Sequence, residues 1–474
     1  MPVDVKLKTS PPPTVDENDR KTKAKSLHIL SFSKPHGLTF HVAWFSFMIA
    51  FTGWYALAPL KPYIKSDLKL TSEIATSDIF SVSATVIFRV TAGLLCDVIG
   101  PRRVMAAFLL AGAIPTALAA LIHNADGLYA SRFFIGVLGA TFVPCQFYTT
   151  QMYEKNVVGS ANAFAGGWGN LGGGLTYILM PLVFNAINSS VNNTNLAWRL
   201  SMIIPAGLCI IAGLMNIFLA DDCPAGDWLK QKKSLENDEI KEVHEASEKK
   251  KSDAYVETFE QVESTKKGKF TELSRAFFNP YVLVMMMQYA CTFGVELAID
   301  NVIGHFFIDQ FGLDITIGNF IGAVFGLMNL FSRATGGIVS DYANQKLGIR
   351  GRLWSQFCVL LLEGIFLIIF RFSLTNLTSA IVVMIFFSFF TQAGCGTSYG
   401  IAPYIDPPIY GTIAGLIGTG GTLGGLIFNS VFAHYSSSIP EGFLVTGIVV
   451  VVLSLTTFLL KVSGERIISI KRSN

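Results

Sequence analysis

The chain has 474 residues, 51% of them apolar and only 15% charged. A soluble chain of that length would divide into two or three domains and carry more charge, so the composition points to a bundle whose solvent is lipid. A net charge of +3, with no basic stripe carrying interleaved aromatics, excludes a nucleic-acid partner.

Residues 1–39 are polar, with the run Pro11-Pro12-Pro13 and mixed Lys, Asp and Glu, and hold no apolar core ahead of a small-residue cleavage site. They read as a disordered cytosolic tail and not as a signal peptide. Twelve apolar stretches long enough to span a bilayer follow, six before a polar break and six after it. The first six are expected near 40–60, 76–97, 103–122, 127–152, 159–186 and 197–219, within a half that covers 40–220. The second six fall near 281–305, 316–340, 353–372, 377–400, 409–434 and 442–461, within a half that covers 280–462. Between them 221–279 is dense in Glu and Lys, as in Lys249-Lys250-Lys251, and reads as a cytosolic central loop with room for a short amphipathic helix on the membrane. Residues 463–474 form a basic cytosolic tail. The short-loop cations Arg102, Arg103, Lys346, Arg350 and Arg352 share the side of the termini, and the sequons at Asn188, Asn192 and Asn376 share the other. Lys61, Lys65 and Lys69 dissent from that polarity.

Seven cysteines are scattered, mostly through apolar runs, with no CxxC pair, so neither a metal site nor a disulfide framework is expected. No nucleophile elbow, P-loop or dinucleotide fingerprint appears, which excludes the common enzyme classes and leaves no cofactor to place.

An internal repeat organises the rest. Phe88-Arg89-x-x-x-Gly93-x-x-x-Asp97 in helix 2 recurs as Ser332-Arg333-x-x-x-Gly337-x-x-x-Asp341 in helix 8, with arginine, glycine and aspartate displaced by one interval. Likewise Trp168-Gly-Asn170-Leu-Gly172-Gly173 in helix 5 recurs as Gly420-Gly-Thr422-Leu-Gly424-Gly425 in helix 11. Two six-helix halves in parallel repeat describe an all-α membrane protein of the major-facilitator fold.

Arg89 and Arg333 each lie about two turns, roughly 12 Å, from the aspartate that marks the cytosolic helix end. An arginine at that depth must be paired or face water. No Asp or Glu stands at the same depth on helices 2 or 8, so both are expected to face a shared cavity short of negative charge. The run Ala165–Gly174 is too glycine-rich for ordinary helix stability. Gly166, Gly167, Gly169, Gly172 and Gly173, with Gly420, Gly421, Gly424 and Gly425 in helix 11, suit close approach or sliding of helix backbones.

The duplicated arginines and duplicated glycine runs together resemble the nitrate/nitrite porter family of the major facilitator superfamily, over nearly the whole membrane portion. The long central loop is more like the fungal members. The resemblance implies that Arg89 and Arg333 clamp the anion and Asn170 hydrogen-bonds it. Phe142 in helix 4, with Tyr289 and Phe293 in helix 7, would stand against it. Thr422 departs from the asparagine that many eukaryotic relatives have there; its hydroxyl can still donate one bond to the anion, and affinity and the preference between nitrate and nitrite are left open. Nitrate is planar and delocalised, and the planar fork of a guanidinium suits its oxygens better than a lysine point charge. Asp97 with Arg102 and Arg103 looks like the superfamily's gate motif, with Asp341, Arg350 and Arg352 as its counterpart.

The reading is therefore a monomeric plasma-membrane importer of nitrate and nitrite. Eukaryotic members are generally proton symporters; Glu296 and Asp300 are the candidate proton carriers, against an alternative as a polar patch near the outer surface. Nitrate/nitrite exchange, a nitrate-sensing receptor with little flux, and an organic-anion carrier are the rival functions.

Overall fold

The computed structural model describes residues 5–16, 19–154, 157–230, 274–406 and 410–468. Most of the central loop, including the stretch expected to hold an amphipathic helix, lies outside the described residues. Among those described, 12 helices are long and apolar enough to cross a membrane. They are α1 His36–Leu68, α2 Glu73–Ile99, α3 Pro101–Leu121, α4 Ala125–Met152, α5 Val158–Val191 and α6 Thr194–Leu219 in the first half. The second half has α7 Pro280–Phe311, α8 Ile315–Leu347, α9 Ile349–Phe372, α10 Leu377–Ile401, α11 Tyr410–His434 and α12 Ile439–Leu459. Lipid-facing surfaces carry exposed Ile, Leu and Phe, such as Ile210, Ile211 and Phe218, where a soluble protein would place polar residues.

The segment before α1, expected to be a disordered tail, carries short strands. Val5–Lys6 pairs in parallel with Leu27–His28, and Thr14–Asp16 pairs antiparallel with Asp19–Ala24. Ala24 bridges to Tyr153 and the Lys23 ammonium donates to the Thr150 carbonyl at 2.8 Å, both at the end of α4. Ala24 and Leu27 are fully buried, so a few apolar side chains anchor a segment whose average composition is polar.

Three spans depart from regular α-helix next to the arginines. α4 tightens to a 3-10 turn over Gly136–Thr141, α8 does so over Met328–Leu330, and α7 widens to a π-turn over Ala290–Gly294. Such irregular turns re-aim side chains and free carbonyls, and π-turns concentrate at functional sites. The glycine runs explain how the spans come close enough. A Cβ at Gly172 would lie 2.8 Å from the Phe51 Cβ of α1, and one at Gly174 would lie 2.6 Å from the Leu327 nitrogen of α8. In the second half a Cβ at Gly424 would lie 2.5 Å from the Ala290 Cα, inside the π-turn. α5 is thereby wedged between α1 and α8, and α11 lies against α7.

A buried arginine pair as candidate functional site

Arg89 of α2 and Arg333 of α8 both point into the centre of the bundle, and each is 3% exposed. They meet at one aromatic ring. The Arg89 Cζ lies 4.7 Å from the Phe293 ring centre and 5.0 Å from that of Phe142; the Arg333 Cζ lies 5.7 Å from Phe293. A desolvated guanidinium over a ring face is held by the ring quadrupole. Phe142 and Phe293 stack at 5.9 Å, and Phe293 stacks in turn on Tyr289 at 5.4 Å.

The two arginines differ in their partners. Arg89 donates from Nε to the Gly139 carbonyl at 3.1 Å and from Nη1 to the Gly418 carbonyl at 3.3 Å, while Nη2 has no partner. It thus draws on α4 and α11 backbone and on no carboxylate among the described residues. Arg333 donates from Nη2 to Glu296 Oε2 at 3.2 Å. The expectation that neither arginine meets an acid is therefore corrected for Arg333. The acid comes from α7, and α7 runs on to Phe311, beyond the end expected near 305, which puts Glu296 at mid-span. For the same reason Glu296 is no outer-surface polar patch: it is 1% exposed. Two guanidinium groups and one carboxylate leave the ionised site one net positive charge where two had been expected.

Glu296 is held on every side. Asn170 donates to its Oε1 at 3.3 Å, Asn329 donates to the same oxygen at 2.6 Å, and the Cys395 thiol reaches Oε2 at 3.6 Å. Asn329 and Tyr399 are site residues that sequence reasoning missed. Asn329 sits in the 3-10 turn one helical turn before Arg333, and Tyr399 of α10 packs edge-on against Tyr289 at 5.2 Å. The Tyr289 hydroxyl and Arg333 Nε are buried donors without partners, like Arg89 Nη2. Buried polar atoms without partners cost free energy, and donors left so in one place mark a site that an acceptor completes. Thr422 is buried, and its hydroxyl donates back to the Gly418 carbonyl at 3.2 Å, the oxygen that also takes Arg89.

The glycines frame this centre. A Cβ at Gly166 would sit 3.0 Å from Arg333 Nη1, and one at Gly167 would sit 2.8 Å from the Asn329 carbonyl. At Gly173 it would meet the Asp300 carboxylate at 3.0 Å, and at Gly421 the Tyr289 ring at 2.6 Å. Gly169 abuts the Phe47 ring, Gly420 abuts Met286, and Gly425 abuts Leu297. Asp300, one turn beyond Glu296 on α7, is 2% exposed, and its Oδ1 is unpartnered.

A second charged cluster, not anticipated, lies on the side away from the termini. Lys61 donates to Asp78 at 2.7 Å and to the Asn301 carbonyl at 2.6 Å. Arg132 bonds the other Asp78 oxygen and donates to Asn301 Oδ1 at 3.1 Å, and Asn301 donates to Asn429 at 3.1 Å. This ties α1, α2 and α4 to α7 and α11 across the halves. Lys61 and Asp78 also line a cavity of about 290 Å3 that opens beyond them, together with Lys65, His305, Asp309 and Asn429. The rule that singled out Arg89, a charge inside an apolar span, applies equally to Arg132 and Asp78.

At the side of the termini, Arg102 and Arg103 both reach Asp227, at 3.2 and 2.9 Å, and the Arg102 amide donates to Asp222 at 2.9 Å. Burial raises the Asp222 carboxyl above its ordinary value. For Asp227 burial acts in the same direction, but Arg103 and neighbouring amides outweigh it and hold the carboxyl low. The Asp97 side chain lies outside the described residues. Asp341 pairs with Arg352 at 2.6 Å, whereas Arg350 turns to Glu465 at 3.0 Å. The first set ties the first half to the start of the central loop, and the second ties helices of the second half to each other and to the C-terminal tail.

Comparison with known proteins agrees with this architecture. The profile of the Major Facilitator Superfamily matches residues 43–429. The chain is 35% identical over 448 residues to Nitrate transporter 2.2 of Chlamydomonas reinhardtii, covering 92% of this chain and 82% of that one. It is 35% identical over 439 residues to High affinity nitrate transporter 2.5 of Arabidopsis thaliana, with the same coverage. It is 28% identical to Nitrate/nitrite transporter NrtP of Nostoc punctiforme, covering 85% and 88%. A solved D-xylose-proton symporter superposes with a TM-score of 0.64 at 14% identity, covering 88% of this chain and 96% of that one, a likeness of fold alone. The chain belongs to the Major Facilitator Superfamily and, within it, to the nitrate/nitrite porter family.

Proposed function

We propose that this protein imports nitrate, and nitrite beside it, across the plasma membrane by proton symport with alternating access, working as a monomer with both termini in the cytosol. The observation that carries the reading is the arginine pair: two guanidinium groups, one from each half, converge on Phe293 with unpartnered donors. A planar monoanion with three equivalent oxygens accepts from both forks at once. Asn170 and Tyr289 supply further polar edges, and Phe142 and Phe293 give apolar walls that strengthen the charge contacts by excluding water.

The repeat supports alternating access, because a site built from both halves is opened to either side by rocking one against the other. In this reading Arg102, Arg103, Asp97 and Asp341 stiffen the cytosolic ends of the halves, and the Lys61–Asp78–Arg132 cluster closes the outer side. Moving an anion against a negative-inside potential costs about 2.3 kcal/mol per charge per 100 mV. For the potential itself to favour entry, at least two protons must accompany each nitrate, and in this reading Glu296 and Asp300 are the buried carboxyls that carry them.

Purified protein in proteoliposomes should take up labelled nitrate under an inward proton gradient, with nitrite and chlorate competing and carboxylates not. Uptake driven only by internal nitrite would point to exchange, and binding without flux to a receptor. Thr422→Val should change the apparent nitrate KM by less than about twofold, because its hydroxyl is already committed to the Gly418 carbonyl. A tenfold change in that KM would place Thr422 on the anion.

A further inference from the structure

The Glu296 carboxylate occupies the groups an anion would use. It is itself planar, delocalised and singly charged, and it takes Arg333 Nη2, Asn170 Nδ2 and Asn329 Nδ2 together. We propose that Glu296 is an internal surrogate for the transported anion, and that its protonation, by releasing Arg333, Asn170 and Asn329, makes the site competent for nitrate. This rests on the nitrate reading above and assigns one of its coupling protons to a competition at Glu296.

While Glu296 Oε2 holds Arg333 Nη2 at 3.2 Å, nitrate must compete with a carboxylate for that face of the guanidinium. A proton from the outer solution on a Glu296 oxygen turns the carboxylate into a neutral acid, and a neutral acid holds a guanidinium far less strongly. The site then carries two uncompensated guanidinium groups, and one nitrate returns it to one net positive charge. Counting the two arginines and Glu296 alone, the empty and loaded sites thus carry the same charge, whereas the Glu296 proton without nitrate leaves two positive charges that resist burial. Release on the cytosolic side reverses the order: the proton leaves, the carboxylate returns to Arg333, and nitrate is displaced.

The charged and titratable groups around Glu296 fit this assignment. Arg333 of α8 is its ion pair, and the Cys395 thiol of α10 lies 3.6 Å away. Asp300 on its own helix, Tyr55 of α1 and Glu363 of α9 lie within electrostatic range. α5 faces it with Asn170, which does not titrate. Arg89 of α2 stands across Phe293 with no carboxylate partner among the described residues, so its free donor is available to the anion in either protonation state of Glu296.

The test is nitrate binding to purified protein at pH 5.5 and pH 8, with transport by the same preparations. Wild type should bind at least about tenfold more tightly at pH 5.5. Glu296→Gln should bind with the tighter affinity at both values and sustain nitrate/nitrate counterflow, but lose accumulation driven by a proton gradient. Wild-type binding that ignores pH, or Glu296→Gln that still accumulates nitrate with the proton gradient, overturns the proposal. Absence of nitrate binding by wild type at either pH would instead overturn the nitrate reading itself. Glu296→Asp covers the event that the glutamine variant fails to fold: its shorter arm competes less, so at pH 8 it should bind nitrate several-fold more tightly than wild type. Equal affinity there also counts against the proposal.

Discussion

Arg333→Ala should abolish nitrate uptake and also lower the melting midpoint of the protein, whereas Arg89→Ala should abolish uptake with a smaller loss of stability. The difference follows from their partners. Removing Arg333 leaves the Glu296 carboxylate at 1% exposure with only amides and a thiol beside it. Breaking a buried ion pair by deleting one member costs about 3–5 kcal/mol, because the remaining charge is stranded. Arg89 has only carbonyl and ring partners, so its loss strands no charge. Adding Glu296→Gln to Arg333→Ala should restore the midpoint without restoring uptake. Unfolding in detergent and labelled nitrate uptake, normalised to protein in the membrane, check both halves. Equal midpoints for the two alanine variants would show that the Glu296 pair carries little stability.

Asp78→Ala should be the most destabilising single change outside the arginine site. Asp78 is 2% exposed and is the one carboxylate that both Lys61 and Arg132 engage, themselves 5% and 1% exposed. Its removal leaves two cations in an apolar bundle, again at a cost of about 3–5 kcal/mol. Asp78→Asn keeps the shape and some hydrogen bonding and should fall between. The cluster also joins the halves through Asn301, so variants that fold should show faster labelling of an introduced cysteine at Lys65, beside the cavity that Lys61 and Asp78 line. Unchanged labelling would remove the cluster from the outer gate and leave it a purely structural tie.

The parts of this arrangement that were legible in the sequence are those written along one helix. Twelve apolar runs, a cation inside each of two of them, and glycine runs repeated at one interval need no knowledge of neighbours. Glu296 was visible as an intramembrane acid, but its partner was not, because the depth of a residue depends on where α7 ends. The π-turn over Ala290–Gly294 also re-aims the face on which Glu296 falls. Lys61 read as a loop cation because α1 was expected to stop near 60, whereas the helical path continues to Leu68 and buries it. Asn329 gains its meaning only from the 3-10 turn that brings its amide to Glu296, and Tyr399 from the packing of α10 against α7. Contacts between helices far apart in the chain decide such roles, and helix period alone carries no information about them.

The measurement that tests the central claim most directly is a calorimetric titration of purified protein with nitrate, wild type beside Arg89→Ala. Arg89 has no carboxylate partner among the described residues, so its removal tests anion holding with the smaller loss of stability. One saturable nitrate per chain in wild type and none in Arg89→Ala is the predicted result. Wild-type affinity retained in Arg89→Ala would contradict an anion site built from the two guanidinium groups.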